Sequence, residues 1–230
     1  MKFSLIIPCY NESKNLPLLI KRCEPLAATP NVEVILVNNG STDNTEELLK
    51  KLISKNTNFK IVKVGVNKGY GFGIVSGLKV AKGEILGWTH ADMQTDPLDA
   101  LKGIKKFSQN EKNLFVKGLR CERPLMDVFF TIGMSIFETI LLAKPMWDIN
   151  AQPTMFTRSF FKKWNSPPED FSLDLYAYYK AKKHGLKIHR FNVKFGERAF
   201  GVSHWNINWS SKIKFIVRTL SYSFKLKKNI

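Results

Sequence analysis

The chain has 230 residues, 44% hydrophobic and 12% aromatic, enough to bury one core of ordinary size and to exclude a disordered body. Its 36 Lys and Arg against 19 Asp and Glu leave +17, a balance that favours anionic partners: nucleotide phosphates, nucleic acid or an acidic membrane face. Cys9, Cys23 and Cys121 are odd in number and have no metal-type spacing, so reduced thiols in a cytosolic setting are expected and a disulfide framework is not.

The amino-terminal "MKFSLIIPCYNE" has too short an apolar run for a signal peptide and predicts a first strand. Apolar, β-branched runs then alternate with helical-period segments: "FSLIIP" and "LPLLIKRCEPL", "VEVILV" and "NTEELLKKLIS", "FKIVKVG" and "GIVSGLKVAK", "EILGWT" and "PLDALKGIKKF", then "LFVKGL". Such alternation predicts an α/β fold with a mainly parallel sheet flanked by helices. Ser41, Thr42 and Asp43 precede a Leu48, Leu49, Leu52, Ile53 face and are placed to cap that helix. From about Arg120 the pattern changes to an amphipathic stretch, an extended "WDINAQPTMFTR", a helix around "SLDLYAYYKAKKHG", a strand "LKIHRFNVKF" and a basic end. No window holds about 20 uninterrupted apolar residues, because "LMDVFFTIGMSIFETILLAKP" carries Asp127 and Glu138, so this stretch is expected to lie on a membrane rather than cross it.

In open α/β sheets ligands bind beyond the carboxyl ends of the strands. The segments to inspect are therefore Pro8 to Glu12, Asn38 to Asp43, Gly65 to Tyr70 and Thr89 to Asp96. In "HADMQ", His90, Asp92 and Gln94 alternate, so on an extended backbone their side chains point the same way. A carboxylate, an amide oxygen and an imidazole suit manganese or magnesium shared with phosphate oxygens; the other reading is a polar loop with Asp96 capping the helix after Pro97. Asn38 or Asn39 offers paired donor and acceptor groups to a nucleobase edge, or serves only a tight turn. "VNKGYGFG" is a weak match to nucleotide-binding loops, and close helix packing explains its glycines at least as well. Arg198, Ser203 and His204 in "ERAFGVSHW" form either a diphosphate clamp or a solvated basic loop. Asp174 complements a helix dipole or acts as a general base.

Taken in order, "SLIIPCYNE", "ILVNNGSTDNT", "NKGYGFGIVSGLKVAKGE", "HADMQTDP", "KGLRCERP", "DINAQPTMFTR" and "HGLKIHRFNVKFGERAFGVSHW" resemble family 2 glycosyltransferases of the GT-A fold, in particular the dolichyl-phosphate mannose synthase-like branch. The resemblance covers nearly the whole chain and implies a GT-A domain over 1–205, acceptor-side interfacial helices at about 124–144, and a basic amphipathic tail over 206–230. It implies inverting sugar transfer from a nucleoside-diphosphate sugar, with Mn²⁺ or Mg²⁺ held by Asp92 and Gln94 and by His90, which stands where the family usually has an aspartate. It places Pro8, Tyr10 and Glu12 at the nucleoside, Arg198, Ser203 and His204 at the diphosphate, and adds Asn38, Asn39, Lys68 and Arg120 as substrate contacts; Asn38 and Asn39 replace the usual acidic pair.

The branch implies a polyprenyl-phosphate or lipid-linked saccharide acceptor at the cytosolic membrane face. The final "SSKIKFIVRTLSYSFKLKKNI" interleaves bulky apolar residues with Lys and Arg, as a helix on an anionic membrane surface does. A lipid phosphate arrives ionised; a sugar hydroxyl requires a base, for which Asp174 is the candidate, with Asp92 the other catalytic residue. Two other classes remain at this point: a non-catalytic sugar-nucleotide binder, and a nucleic-acid binder, which is not expected because the positive residues are dispersed and no recognised module is present.

Overall fold

A computed structural model describes residues 2–53, 58–107, 113–201 and 209–228. The alternating runs become strands β1 (Phe3–Cys9), β2 (Val32–Asn39), β3 (Phe59–Val64), β4 (Ile85–Trp88) and β5 (Leu114–Cys121). Between them run helices α1 (Leu16–Ala28), α2 (Thr45–Ile53), α3 (Tyr70–Val80) and α4 (Asp99–Ile104). The second half adds α5 (Leu125–Leu142), β6 (Thr154–Thr157), the short α6 (Arg158–Phe161), α7 (Leu173–Lys183), β7 (Lys187–Lys194) and α8 (Trp209–Lys228). Of the long extended stretch expected before Arg158, only four residues pair as a strand.

One sheet of seven strands has the order β3-β2-β1-β4-β6-β5-β7. All its pairings are parallel except those of β6, which runs against both β4 and β5. The mainly parallel sheet is therefore as expected. Because β1 is central, its alternate residues serve two cores: Leu5 and Ile7 pack with α1, α2 and α4, and Ile6 packs with α3 and α7. Such strands are apolar on both faces, which is why "FSLIIP" is nearly continuous. Pairing of β1 with β4 ends at Ile6, so Pro8 costs the sheet no hydrogen bond on that side.

At the joints, the capping expected of Asp43 and the capping that the other reading gave to Asp96 both occur. Asp43 Oδ1 accepts from the Thr45 N–H (3.0 Å) at the start of α2, and Asp96 Oδ1 accepts from the Leu98 N–H (2.9 Å) just before α4. The glycines of "NKGYGFG" do packing work. Gly69 has φ +116°, and a Cβ at Gly71 would meet Pro168 O at 2.4 Å and Asp170 O at 2.7 Å.

Helix α5 is inverted relative to a usual surface helix. Leu125, Met126, Phe129, Ile136 and Ile140 face outward, whereas Asp127, Thr131, Ser135 and Glu138 line a cleft on the inner side. By length and composition alone α5 would suffice to cross a membrane, a point the count of uninterrupted apolar residues misses. The basic end forms α8, which packs on α5: Ser223 Oγ donates to Glu138 Oε1, the Phe137 and Phe224 rings are 6.2 Å apart, and Leu226 joins the core. Burial pushes the Glu138 carboxyl up to about 7.

Gly71→Ala is expected to destabilise the chain by about 1–3 kcal/mol, because backbone rather than a movable side chain stands in the way; a urea midpoint unchanged from wild type would refute the packing role.

Candidate active site

The strand order changes direction beside β1 and β4, and the loops leaving their carboxyl ends meet there. The cleft they open has a volume of about 1140 Å³ and runs from the β1 loop to the inner face of α5.

On its first wall the loops after β1 and β2 are tied together. Asn11, at φ 55°, donates its N–H to Ser41 Oγ (3.1 Å) and accepts from the Thr42 N–H at Oδ1 (2.8 Å). The Glu12 N–H donates to Thr45 Oγ1 (2.9 Å) and the Ser13 N–H to Asp43 Oδ2 (3.2 Å). These ties hold Pro8, Tyr10 and Glu12 at the cleft. Burial raises the Glu12 carboxyl above its ordinary range, against the lowering effect of the Asn15 amide that donates to it.

The asparagine pair divides. Asn39 lines the cleft, but its amide donates to Gly69 O (3.0 Å) and so anchors the turn before α3. Asn38 lies outside the lining, accepting from the Ser41 N–H (3.1 Å) and reaching Glu46 at 3.5 Å. Lys68 is also outside it, exposed, with its ammonium 5.1 Å from the Phe72 ring centre.

His90, Asp92 and Gln94 do line one cleft, though not on an extended backbone. Asp92 Oδ1 accepts from the Gln94 N–H (3.1 Å) and Met93 takes φ 62°, so the loop turns on itself; a short acidic side chain competes with extended structure in this way. Asp92 Oδ2 and Gln94 Oε1 converge on one positive centre, the Arg198 guanidinium, at 3.0 and 3.3 Å. The loop carrying Arg198 is strapped to the same turn: the Gly196 N–H donates to Gln94 O (2.8 Å) and Gln94 Nε2 to Gly196 O (3.3 Å). The His90 ring stacks on Tyr70 at 5.3 Å, and Tyr70 in turn on Phe171 at 4.7 Å. Among the described residues no three His, Cys, Asp or Glu side chains come together; the oxygen pair of Asp92 and Gln94 around a positive charge is the donor set that suits a hard cation. Ser203 and His204 lie outside the described residues.

Across the cleft, Asp174 at the start of α7 is buried yet lines the wall. Its Oδ1 accepts from Gln152 Nε2 (2.7 Å), and the same amide lies 3.3 Å from the Tyr70 hydroxyl. Burial, with Asp174 next, pushes that hydroxyl well above its usual range, so it stays protonated. Beneath Asp174 lies Lys117 Nζ, 3.7 Å from Oδ1. Arg120, at the end of β5, does line the cleft, but its N–H and guanidinium are spent on Asp148, which also faces Arg123 (4.0 Å) and Arg190 (3.7 Å). Burial opposes ionisation of Asp148, and the Arg120 and Arg190 charges outweigh it and hold the carboxyl below its ordinary range. Phe195 lies against both Arg120 and Arg123, at 5.1 and 5.5 Å.

Sequence reasoning missed Tyr70, Lys117, Asp148 and Gln152. For Lys117 the signal was present: a lysine inside the apolar run "LFVKGL" is out of place unless it is paired. Tyr70 ends one of the segments marked beyond the strand ends, and Asp148 and Gln152 stand within "DINAQPTMFTR", but nothing local marks these side chains for the cleft.

Residues 4–176 match the family model for glycosyl transferase family 2, three-quarters of the chain, and the chain belongs to that family. It is a family 2 glycosyltransferase with the GT-A fold. A dolichyl-phosphate β-glucosyltransferase of Trichomonas vaginalis is 27% identical over 218 residues, 84% of this chain and 65% of that protein. A dolichol-phosphate mannosyltransferase of Pyrococcus furiosus is 35% identical over 151 residues, 63% of this chain and 42% of that protein. The chain thus spans less than two-thirds of these relatives. In fold it resembles glucosyl-3-phosphoglycerate synthase from Mycobacterium tuberculosis, solved with Mn²⁺, UDP-glucose and phosphoglyceric acid, with a TM-score of 0.77 at 17% identity over 100% of this chain and 80% of that one.

Asp148→Ala would leave three half-buried guanidinium groups facing one another, and is expected to cost about 3–5 kcal/mol in a urea titration; a loss below about 1 kcal/mol would show the cluster to be dispensable.

Proposed function

We propose that this chain is an inverting glycosyltransferase that moves a sugar from a nucleoside-diphosphate sugar to a lipid-phosphate or lipid-linked acceptor at the cytosolic face of a membrane. The observation that carries the reading is the two-sided cleft: Glu12, Asp92, Gln94 and Arg198 on one wall, and the polar inner face of α5 on the other. The names of the trichomonad and archaeal relatives support a lipid-phosphate acceptor.

Pro8, Tyr10 and Glu12 bind the nucleoside, and Glu12 accepts from ribose hydroxyls. Asp92 and Gln94 would hold Mn²⁺ or Mg²⁺, with His90 at the same turn; positive charge bound there would offset the negative charge of the departing diphosphate. Arg198, already beside both oxygens, adds a charge-assisted hydrogen bond to that diphosphate. The acceptor oxygen attacks the anomeric carbon on the face opposite the diphosphate. The new C–O bond forms as the bond to the diphosphate oxygen breaks, and its electron pair leaves with that oxygen. An ionised phosphate acceptor has no proton to lose; a hydroxyl acceptor passes its proton to Asp174.

The outward Leu125, Met126, Phe129, Ile136 and Ile140, together with Ile213, Val217 and Phe224 of α8, form an apolar face that suits the interface of an anionic membrane, with the lysines at the end of α8 toward the headgroups. This gives the inverted polarity of α5 a reason: lipid on one side, the reacting groups on the other.

Calorimetric titration across a panel of nucleotide sugars is expected to find one that binds with Mn²⁺ and binds about tenfold or more weakly after chelation or in Asp92→Asn. Binding by no donor, or binding indifferent to both changes, would overturn the reading. Separately, Phe129→Asp combined with Ile140→Asp is expected to abolish most co-sedimentation with anionic vesicles; full retention would remove the membrane from the proposal.

A further inference from the structure

Lys117 is a buried charge that the scheme above leaves unused. Strand alternation sets it on the same face of β5 as Phe115, toward α7, while Leu114 and Val116 face the other core. Its side chain is fully buried, and Nζ donates to Ala151 O and to Thr154 Oγ1, each at 2.7 Å. Its remaining direction faces Asp174 Oδ1 at 3.7 Å, and Asp174 has no other ion-pair partner among the described residues.

We propose that Lys117 is a positioning residue for the transfer: it sets a positive charge against the Asp174 carboxylate and, with Gln152, fixes that carboxylate at the cleft wall to receive a proton, so the acceptor end that enters this cleft is a hydroxyl of a lipid-linked saccharide rather than a bare phosphate. The inference rests on the reading of Asp174 as the base. A buried ion pair is a weak source of stability, because desolvation offsets much of the attraction. Its value here is chemical. A hydroxyl acceptor needs a proton acceptor held in place, and Lys117 with Gln152 holds the Asp174 carboxylate at the cleft wall. A phosphate acceptor would give this arrangement no task.

The electrostatics agree with the geometry. Burial lowers Lys117 to about 7, and Asp174 is the first group opposing that fall. Of the other charges that act on it, Arg190 on β7 and Arg120 lower it further while Asp148 raises it. Tyr70 reaches the pair through Gln152, and His90 is stacked behind Tyr70. A neutral side chain at 117 removes the one ion-pair partner that Asp174 has among the described residues.

The test is the pH dependence of nucleotide-sugar hydrolysis, with water as acceptor, by the full chain with the donor that binds best in the panel. Water forms the bond to the anomeric carbon, the diphosphate leaves with the electron pair, and Asp174 takes the proton. Lys117→Met is expected to lower kcat about tenfold with little change in KM for the donor, and to move the acid limb up by about one pH unit or more. An unmoved limb in folded Lys117→Met overturns the inference while leaving the donor site standing. Hydrolysis by Asp174→Asn at the wild-type rate overturns it together with the base reading, and metal-dependent donor binding would still survive. Should Lys117→Met fail to fold, ¹³C-aspartate spectra of the wild type decide. The Asp174 carboxyl signal, assigned by its loss in Asp174→Asn, is expected to show an inflection at about 7, where Lys117 loses its proton, and a flat response there overturns the proposal.

Discussion

The carboxylate of Asp148 is where the second half of the molecule is joined. It receives Arg120 from the end of β5 and faces Arg190 of β7 and Arg123 ahead of α5, while its own N–H donates to Ser135 Oγ on the inner face of that helix (3.2 Å). One buried anion thus sets β5, β7 and α5 against one another. The turn that follows it delivers Ala151, Gln152 and Thr154 to the Lys117 and Asp174 pair. A charge buried among three opposite charges tolerates little displacement, because each cation it releases is left desolvated. The wall formed by α5, α7 and the end of β5 is held to within hydrogen-bonding distances by this means.

The opposite wall is built on backbone turns rather than on charge. Asn11 and Met93 take left-handed conformations, and short polar side chains close each turn, so the groups at the ends of β1 and β4 sit in fixed positions before any ligand arrives. The Arg198 loop is hydrogen-bonded to the second of these turns. The Asp92 and Gln94 oxygens and the Arg198 guanidinium are therefore delivered as one unit. That coupling gives a physical reason for segments about a hundred residues apart to form one motif.

Much of this could be read from the chain. The strands and helices of the first half follow from hydrophobic period and cap residues, since β1 and β2 are apolar on both faces and Asp43 and Asp96 bond the N–H groups where α2 and α4 begin. The polar residues after β1 and β4 were legible because the ends of parallel strands are where such residues have no core to enter. Other parts were not. Asn38, Asn39 and Lys68 were chosen for their chemistry, but whether a side chain turns toward a cleft or caps a neighbouring turn depends on rotamers and on contacts far along the chain. Asn39 and Gly69 are thirty residues apart in sequence and bonded in space.

By itself the sequence determined the fold class, the family, the position of the polar loops after β1 and β4 and the amphipathic character of α5 and α8, because these are set by local period and by motif order. Only the tertiary structure decided which side of α5 faces the cleft, that Asp148 gathers three arginines, and that a lysine in an apolar strand lies beneath Asp174. Those outcomes arise from pairings between elements distant in sequence, where burial turns an ordinary charge into one that must find its partner.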